Sequence, residues 1–341
     1  MDIMLCGCRG MIEHSEGRGY GIMCKYGMQI AMILMAAALT ASADTWRLEQ
    51  GQEWNIVSAT GKDGYLLEVA EIKKLISAGQ SGAVRKSLDK LKKDYPEIAS
   101  ADLDAFIKAE ILFSQGKFVK AVRAYDKFLA EYPESELREA ALDSEFTIGT
   151  AFLAGQKKTV LKVFRIKGYA EGEKIMERIS DRAGDAPIGV RASRAIAESL
   201  EKRGKFDEAY QQWSLISTRW STGQTGKDAL LAMGRCKHAA YKGRRYDASS
   251  LVSAKSYYEK FKLRYPKDAE ELGIDKKLKM IDEQSAYKQF DIGRYYQQSG
   301  SMQSANLYYQ MVVDNWPGSA AAKIAMQETG GKNLQGEKVE K

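Results

Sequence analysis

The sequence predicts an all-α fold, a solenoid of about five to six helical hairpins. Three observations predict it. From Tyr65 onward, apolar residues recur with the period of a helix. Short segments with one shared order of small, aromatic and apolar residues recur along the chain. Four of the five prolines directly follow an aromatic residue, at Tyr95-Pro96, Tyr132-Pro133, Tyr265-Pro266 and Trp316-Pro317.

The clearest hairpin is Phe290–Pro317, which reads FDIGRYYQQSGSMQSANLYYQMVVDNWP. Gly293 and Ala305 are small at the points where two antiparallel helices must approach closely, and Tyr309 fills the space beside them. Gly300 ends the first helix, and the proline that closes the stretch ends the second. This spacing is typical of tetratricopeptide repeats (TPRs). Since one such hairpin cannot bury its own apolar face, the sequence predicts a TPR-type solenoid.

The first two predicted hairpins lie N-terminal to Pro133. The first pairs Leu66–Ala78 with Ser81–Asp94, and its second helix stops before Pro96. In the second hairpin, Gly116-Lys117-Phe118 makes the turn between the helices. Its second helix carries small, aromatic and apolar residues in the same order, at Ala121, Tyr125 and Phe128.

The third and fifth predicted hairpins each contain an insertion between their two helices. In the third, Gly149 and Gly172 are the small residues, and Lys157–Lys167 separates the helices that carry them. In the fifth, the insertion is Tyr241–Ser250 and follows the first helix, which contains Gly234. Both insertions lengthen the link within a hairpin and leave the repeat pattern intact.

The remaining elements complete the array. Pro187 is expected in the first turn of a helix that opens the fourth hairpin, with its turn at Gly204 and a small residue at Ala209. The first helix of the sixth hairpin is expected to start early, near Glu270. Ser319–Gln327 is expected to cap the open end, as solenoids require.

The N-terminal residues 1–43 are predicted to be a leader and signal peptide. Met28–Ala43 contains an apolar run of about fourteen residues, too short for the ~20 of a membrane span. Lys25 precedes the run, and Ala41-Ser42-Ala43 has the small-x-small pattern of a cleavage site. We expect cleavage before Asp44 and secretion to the periplasm. A buried helix is the alternative interpretation of this run.

Three further boundaries follow from the same pattern. Residues 44–64 are predicted to be an N-terminal arm, in which a short hairpin or an extended segment is expected around Gln50-Gly51-Gln52. Residues 65–329 form the predicted TPR solenoid. Residues 330–341 are polar and are predicted to be a disordered tail.

Composition argues against several classes of function. The net charge of +7 suits an anionic membrane surface or an acidic protein patch, while no motif supports nucleic-acid binding. Three of the four cysteines precede the expected cleavage point, so Cys236 alone remains and no internal disulfide can form. We therefore expect neither nucleic acid nor a disulfide framework.

No catalytic pattern is present, and we predict a protein that is not an enzyme and has no cofactor and no metal. Only two histidines occur, His14 and His238, and neither accompanies a nucleophile motif. Gly226-Lys227 is a poor phosphate loop, because Ser221 occupies the position of the required glycine and Asp228 that of the Ser or Thr. Zinc sites need clustered His and Cys, which the sequence lacks.

The insertion Lys157–Lys167, KKTVLKVFRIK, alternates apolar and cationic residues. One interpretation is a basic amphipathic segment that meets a membrane or a partner. The other is a linker that packs its apolar side on the solenoid, since apolar residues are usually buried.

The inner groove of the array is the predicted binding surface, because the first helix of each hairpin lines this groove in TPR arrays. At the N-terminal end, the inner-facing positions predicted to bind peptide hold Phe106, Phe113, Phe146 and Leu153. At the C-terminal end, the positions predicted to bind a partner hold Arg235, Phe290 and Arg294. An apolar end and a basic end would suit an extended peptide with aromatic anchors, or a partner domain. The alternative is ordinary packing between repeats.

The repeat ends carry a family resemblance. Lys127–Leu142, KFLAEYPESELREAAL, and Tyr257–Ala269, YYEKFKLRYPKDA, together with Phe290–Pro317, resemble the BamD family, also called YfiO. That family belongs to the outer-membrane β-barrel assembly machinery. The resemblance implies a non-enzymatic scaffold whose N-terminal repeats receive nascent outer-membrane proteins. It also implies that the C-terminal repeats dock the barrel-forming subunit.

Two departures from that family affect the expected location. Its members are usually lipoproteins, but no cysteine stands at the end of the apolar run, and six hairpins exceed the usual five. We therefore expect a periplasmic protein that associates with the outer membrane peripherally, held by its partners. Similar repeat ends occur in other envelope proteins. A soluble periplasmic TPR adaptor for Tol-associated envelope division or for polysaccharide export is the alternative.

Overall fold

The computed structural model describes residues 46–47, 55–56, 61–160 and 164–329. The chain divides into two compact units, Met1–Leu67 and Glu68–Lys341. In the first unit, β1 (Trp46–Arg47) pairs antiparallel with β2 (Asn55–Ile56). The predicted leader and signal peptide, 1–43, and the predicted tail, 330–341, lie outside the described residues. Among the described helices, none combines the length and the apolar character that a membrane span requires.

Fourteen helices occupy the described part of the chain, and this confirms the prediction of an all-α TPR-type solenoid. Helix α1 begins at Gly61, before the predicted boundary at Tyr65. Helical hairpins form from α3–α4, α5–α6, α7–α8, α9–α10 and α12–α13, and α14 packs on the last one. A sixth hairpin forms from α1 and α2, which are joined by the ion pair between Glu68 and Lys90 at 3.0 Å. The helices are α1 (Gly61–Ser77), α2 (Ser81–Asp94), α3 (Ala101–Ser114), α4 (Phe118–Glu131), α5 (Arg138–Leu153), α6 (Tyr169–Ala183), α7 (Pro187–Lys202), α8 (Phe206–Arg219), α9 (Gly223–Ala239), α10 (Ser249–Arg264), α11 (Pro266–Glu271), α12 (Ile274–Gln298), α13 (Met302–Asn315) and α14 (Ala320–Glu328).

The turns within the second and fourth hairpins lie at the predicted glycines. Gly116 and Gly204 have φ of +67° and +73°, the left-handed region that favours glycine. The N–H of Gly116 donates to the carbonyl of Phe113 at 2.8 Å, which closes the end of α3. The sharp turn reverses the chain and brings the next helix back along the first.

Five second helices end on an aromatic residue with one shared backbone conformation. Its φ lies between −123° and −136° and its ψ between 57° and 70°, and its N–H donates to the carbonyl four residues earlier. Proline follows in four cases, and proline disfavours helix at the residue before it. The aromatic residues are Tyr95, Tyr132, Trp220, Tyr265 and Trp316. The repeat ends are therefore helix C-caps, as their spacing predicts.

Small residues set the distance between the two helices of a hairpin. A Cβ atom added to Gly293 would lie 2.8 Å from the ring carbons Cδ1 and Cε1 of Tyr309, closer than real Cβ contacts. The same substitution at Gly234 would bring Cβ to 3.2 Å from the ring of Tyr258. The predicted close approach is thus confirmed at these hairpins.

The insertion in the third hairpin is a β-hairpin, which neither interpretation of the sequence included. Strand β3 (Lys157–Val160) pairs antiparallel with β4 (Phe164–Lys167). At its base, the N–H of Gly168 donates to the carbonyl of Gln156 at 2.9 Å. Ile166 is 49% exposed, so the linker interpretation fails for this residue.

The region before the sixth hairpin differs from the expected early helix start near Glu270. The short helix α11 ends at Glu271, and Gly273 takes a φ of +61° before α12 begins at Ile274. The glycine therefore separates two helices where one continuous helix was expected. Helix α12 still extends well beyond the repeat and lengthens the surface of the last hairpin.

Gly293→Leu is expected to lower the free energy of unfolding by about 1–3 kcal/mol, because the new side chain overpacks against Tyr309. Gly82→Leu is the matched control, since Gly82 lies in helix α2 with no atom within 4 Å of an added Cβ. The control should be neutral or slightly stabilising. Thermal unfolding followed by far-ultraviolet circular dichroism measures both. Equal midpoints for the two variants would contradict the close approach of α12 and α13.

Candidate peptide-binding face

The first helices of neighbouring hairpins are joined side by side by polar contacts. We call the surface formed by these contacting side chains of α1, α3, α5, α7, α9 and α12 the first-helix face. Its cross-helix pairs, with their shortest distances, are Lys73–Glu110 (3.2 Å), Ser144–Glu110 (2.6 Å), Arg191–Asp143 (3.8 Å), Arg194–Asp228 (2.8 Å), Arg235–Glu201 (2.7 Å) and His238–Gln284 (3.0 Å). The face therefore runs through all six hairpins.

The predicted N-terminal anchors are in two different environments. Phe106 is fully buried, with its ring centroid 5.8 Å from that of Phe128 on the second helix α4, and Leu153 is buried as well. The expectation that these two side chains line an open groove is wrong, because both pack inside their hairpins. Phe113 and Phe146 are half-buried and leave apolar surface accessible on α3 and α5.

The predicted basic end is mostly neutralised. Arg235 donates through Nε and Nη2 to the two carboxylate oxygens of Glu201, at 2.7 and 2.8 Å. Phe290 is buried against Tyr309, with ring centroids 5.2 Å apart, so its expected place in the groove is wrong as well. Arg294 remains exposed, 3.6 Å from Asp291 on the same helix. Of the two arginines predicted there, Arg294 is thus the one without a close carboxylate partner on a neighbouring helix of the described chain.

A buried ionic cluster joins the second and third hairpins, and the sequence analysis missed it. Glu145 on α5 is fully buried, and Arg182 on α6 lies 3.3 Å from it. Arg182 and Arg178 also pair with Asp126 on α4, at 2.7 and 3.2 Å. Among the described residues, Oε1 of Glu145 has no hydrogen-bond partner. Glu145 and Arg182 are 37 positions apart in the sequence, and no local pattern marks them as partners.

Burial governs the protonation of this cluster. Burial of Glu145, together with the nearby charge of Asp126, raises the pKa of its carboxyl to about 8, while Arg182 and Arg178 oppose the shift. The neutral carboxylic acid therefore predominates at pH 7. A buried acid in this form avoids the cost of an unpaired charge next to Asp126.

Two adjoining cavities lie beside helix α12. One has a volume of about 690 Å³ and reaches from Lys276 to Trp316 at the end of α13. The other, of about 590 Å³, lies against the loop after α9 and is lined by Tyr241 and Tyr287. Both touch Met280, which is 52% exposed. The extension of α12 thus builds concave, partly apolar surface at the C-terminal end of the array.

Three features of the described part of the chain bear on metal or catalytic chemistry: the grouping of metal-ligating side chains, the ring of His238 and the thiol of Cys236. No group of three or more His, Cys, Asp and Glu side chains there could hold a metal ion. The ring of His238 shares a hydrogen bond with Gln284 at 3.0 Å and contacts Tyr258 edge-on. Burial raises the pKa of the Cys236 thiol to about 12, so this thiol is inert at neutral pH.

Comparison with known proteins agrees with the fold. Residues 105–135, which span most of α3 and all of α4, match the sequence model of a tetratricopeptide repeat. No curated protein matches the chain.

Solved structures with a similar arrangement include three TPR-like proteins. PilW, a widely conserved type IV pilus biogenesis factor, is 14% identical over 77% of this chain and 98% of its own, with a TM-score of 0.29. The C-terminal part of a TPR protein from Cytophaga hutchinsonii is 12% identical over 89% and 95%, with a TM-score of 0.35. YrrB, described as having an unusual peptide-binding site, is 15% identical over 69% and 97%, with a TM-score of 0.28. At these values the likenesses assign no function to this chain.

Glu145→Gln is expected to flatten the pH dependence of stability. The folded pKa of about 8 lies above the unfolded value near 4.5, so the wild-type protein loses stability as pH rises from about 4.5 to about 8. The loss is on the order of a few kcal/mol, and Gln, which resembles the neutral acid, avoids it. Glu139→Gln, at an exposed position of the same helix, is the control. The measurement is the denaturant concentration at the unfolding midpoint, at pH 5 and at pH 8. An equal decrease between the two pH values for wild type and Glu145→Gln would contradict this account.

Proposed function

We propose that this protein is a non-enzymatic TPR scaffold of the outer-membrane β-barrel assembly machinery. It holds extended segments of nascent outer-membrane proteins on the first-helix face and docks the barrel-forming subunit at its C-terminal hairpins. The observation that carries the proposal is the first-helix face itself, a row of aligned helices that runs through six hairpins. Repeat arrays use such extended surfaces for binding.

An extended chain suits the chemistry of this face. Phe113 and Phe146 offer accessible apolar surface on neighbouring first helices, and aromatic side chains are common anchors in peptide recognition. Between α5 and α7, the exposed side chains of Asp143 and Arg191 supply polar groups for a peptide backbone. A non-native segment of a barrel protein alternates apolar and polar residues and presents an unpaired backbone, so it matches both features.

The C-terminal end favours a folded partner. The two cavities beside α12 and the exposed Met280 form a concave, partly apolar surface of the kind that protein interfaces bury. The family resemblance in the repeat ends is the reason for proposing the barrel-forming subunit as that partner. The same resemblance, with the predicted signal peptide, supports a periplasmic location next to the outer membrane.

Phe113→Ala combined with Phe146→Ala is expected to weaken peptide binding while leaving the C-terminal partner bound. Loss of two aromatic anchors should cost on the order of tenfold or more in affinity. Fluorescence anisotropy with a labelled peptide from the C-terminus of a barrel protein measures the first effect, and a pull-down from envelope extract measures the second. Leu263→Ala is the control, because Leu263 is 87% exposed on the second helix α10.

Unchanged peptide affinity in the folded double variant would contradict the proposed face. The pull-down also separates the proposal from its alternative. Recovery of the barrel-forming subunit supports a role in barrel assembly. Recovery of Tol or polysaccharide-export components without that subunit would instead identify a periplasmic adaptor.

A further inference from the structure

We propose that Arg191 binds the free C-terminal carboxylate of the peptide held on the first-helix face. The inference rests on the proposed function and names the group that the site recognises. Arg191 lies on α7, at the junction with α5. Its guanidinium lies next to the half-buried Phe146, one of the two half-buried phenylalanines predicted to bind peptide.

Arg191 is placed on an aromatic support. Its guanidinium carbon lies 4.4 Å from the centroid of the Phe146 ring. A guanidinium that rests on a ring gains a cation–π contact and loses conformational freedom. Its N–H groups then point along the plane of the fork, where a carboxylate can accept two hydrogen bonds at once. The side chain is 57% exposed, so a ligand can reach it.

The charge of Arg191 is only loosely compensated. Among the described residues, its ion pair is with Asp143 at 3.8 Å, beyond hydrogen-bond distance, and the Asp143 side chain is 64% exposed. The other arginines between first helices are held more tightly, Arg194 by Asp228 at 2.8 Å and Arg235 by Glu201 at 2.7 Å. Arg294 has a similarly long pair, but with Asp291 on its own helix. Arg191 is thus the cross-helix arginine whose donors stay open to an anion.

The occupant follows from this charge and from the neighbouring apolar surface. A carboxylate at Arg191 would lie beside Phe146 and the adjacent helix that carries Phe113. A peptide that ends in an aromatic residue offers both groups at once, an anionic terminus and a ring next to it. Arg191 would therefore distinguish the end of such a chain from its interior.

The test compares two forms of one short labelled peptide that ends in Phe, one with a free C-terminal carboxylate and one amidated. Fluorescence anisotropy on the full chain should show that amidation weakens binding to wild type roughly fivefold, the upper range for a solvent-exposed ion pair. Arg191→Gln should bind both forms with the affinity that wild type shows for the amide. Asp143→Asn should strengthen binding of the free acid alone, and added salt should reduce the preference.

Arg123→Gln is the matched control, because Arg123 is exposed on the second helix α4. It should keep the wild-type preference for the free acid, and circular dichroism confirms that each variant is folded. Equal binding of the two peptides by wild type, or a preference that survives Arg191→Gln, overturns the inference while leaving the scaffold proposal in place. Failure of both peptides to bind wild type overturns the proposed function and the inference together.

Discussion

The contact between a glycine of the first helix and a large side chain of the second is the constraint on which three of the hairpins depend, at Gly149, Gly234 and Gly293. Gly293 against Tyr309 leaves no room for another carbon atom, and Gly234 against Tyr258 leaves little. This close approach fixes the separation of the two helices and buries the residues between them. The aromatic C-caps then stop five of the six second helices at the same point of the repeat. With both fixed, the first helices align and their side chains can meet from one hairpin to the next.

The alignment of first helices explains why polar groups are concentrated between hairpins. Apolar contacts dominate inside each hairpin, whereas Lys73, Glu110 and Ser144 join three successive first helices. Glu145 is a more extreme case, because it is fully buried between the second and third hairpins and is neutral beside Asp126. Such a group costs free energy when it is not satisfied.

Much of the fold could be predicted from the sequence, because its determinants are local. Each repeat contains its own glycine turn, its own small residues at the helix contact and, in most repeats, its own aromatic-proline end. The helices of the structure closely match those predicted from these features. The residues of the binding site were harder to predict from the sequence. Phe106, Leu153 and Phe290 occupy positions that could line a groove or a core, and only the packing of the second helix decides between them. The pairs that compensate Arg235 and Arg194 join residues 34 positions apart, one repeat length. The repeat period aligns these positions but does not say which side chains pair.

The central claim is that substrate lies along the first-helix face, and site-specific photo-crosslinking in cells tests it most directly. A photoreactive residue at Thr150 would lie exposed on α5, one turn beyond Phe146, whereas one at Leu263 would lie exposed on the second helix α10. The account predicts adducts with nascent outer-membrane proteins from position 150 and none from position 263. Adducts from position 263 alone would contradict it and would place the binding surface on the second helices.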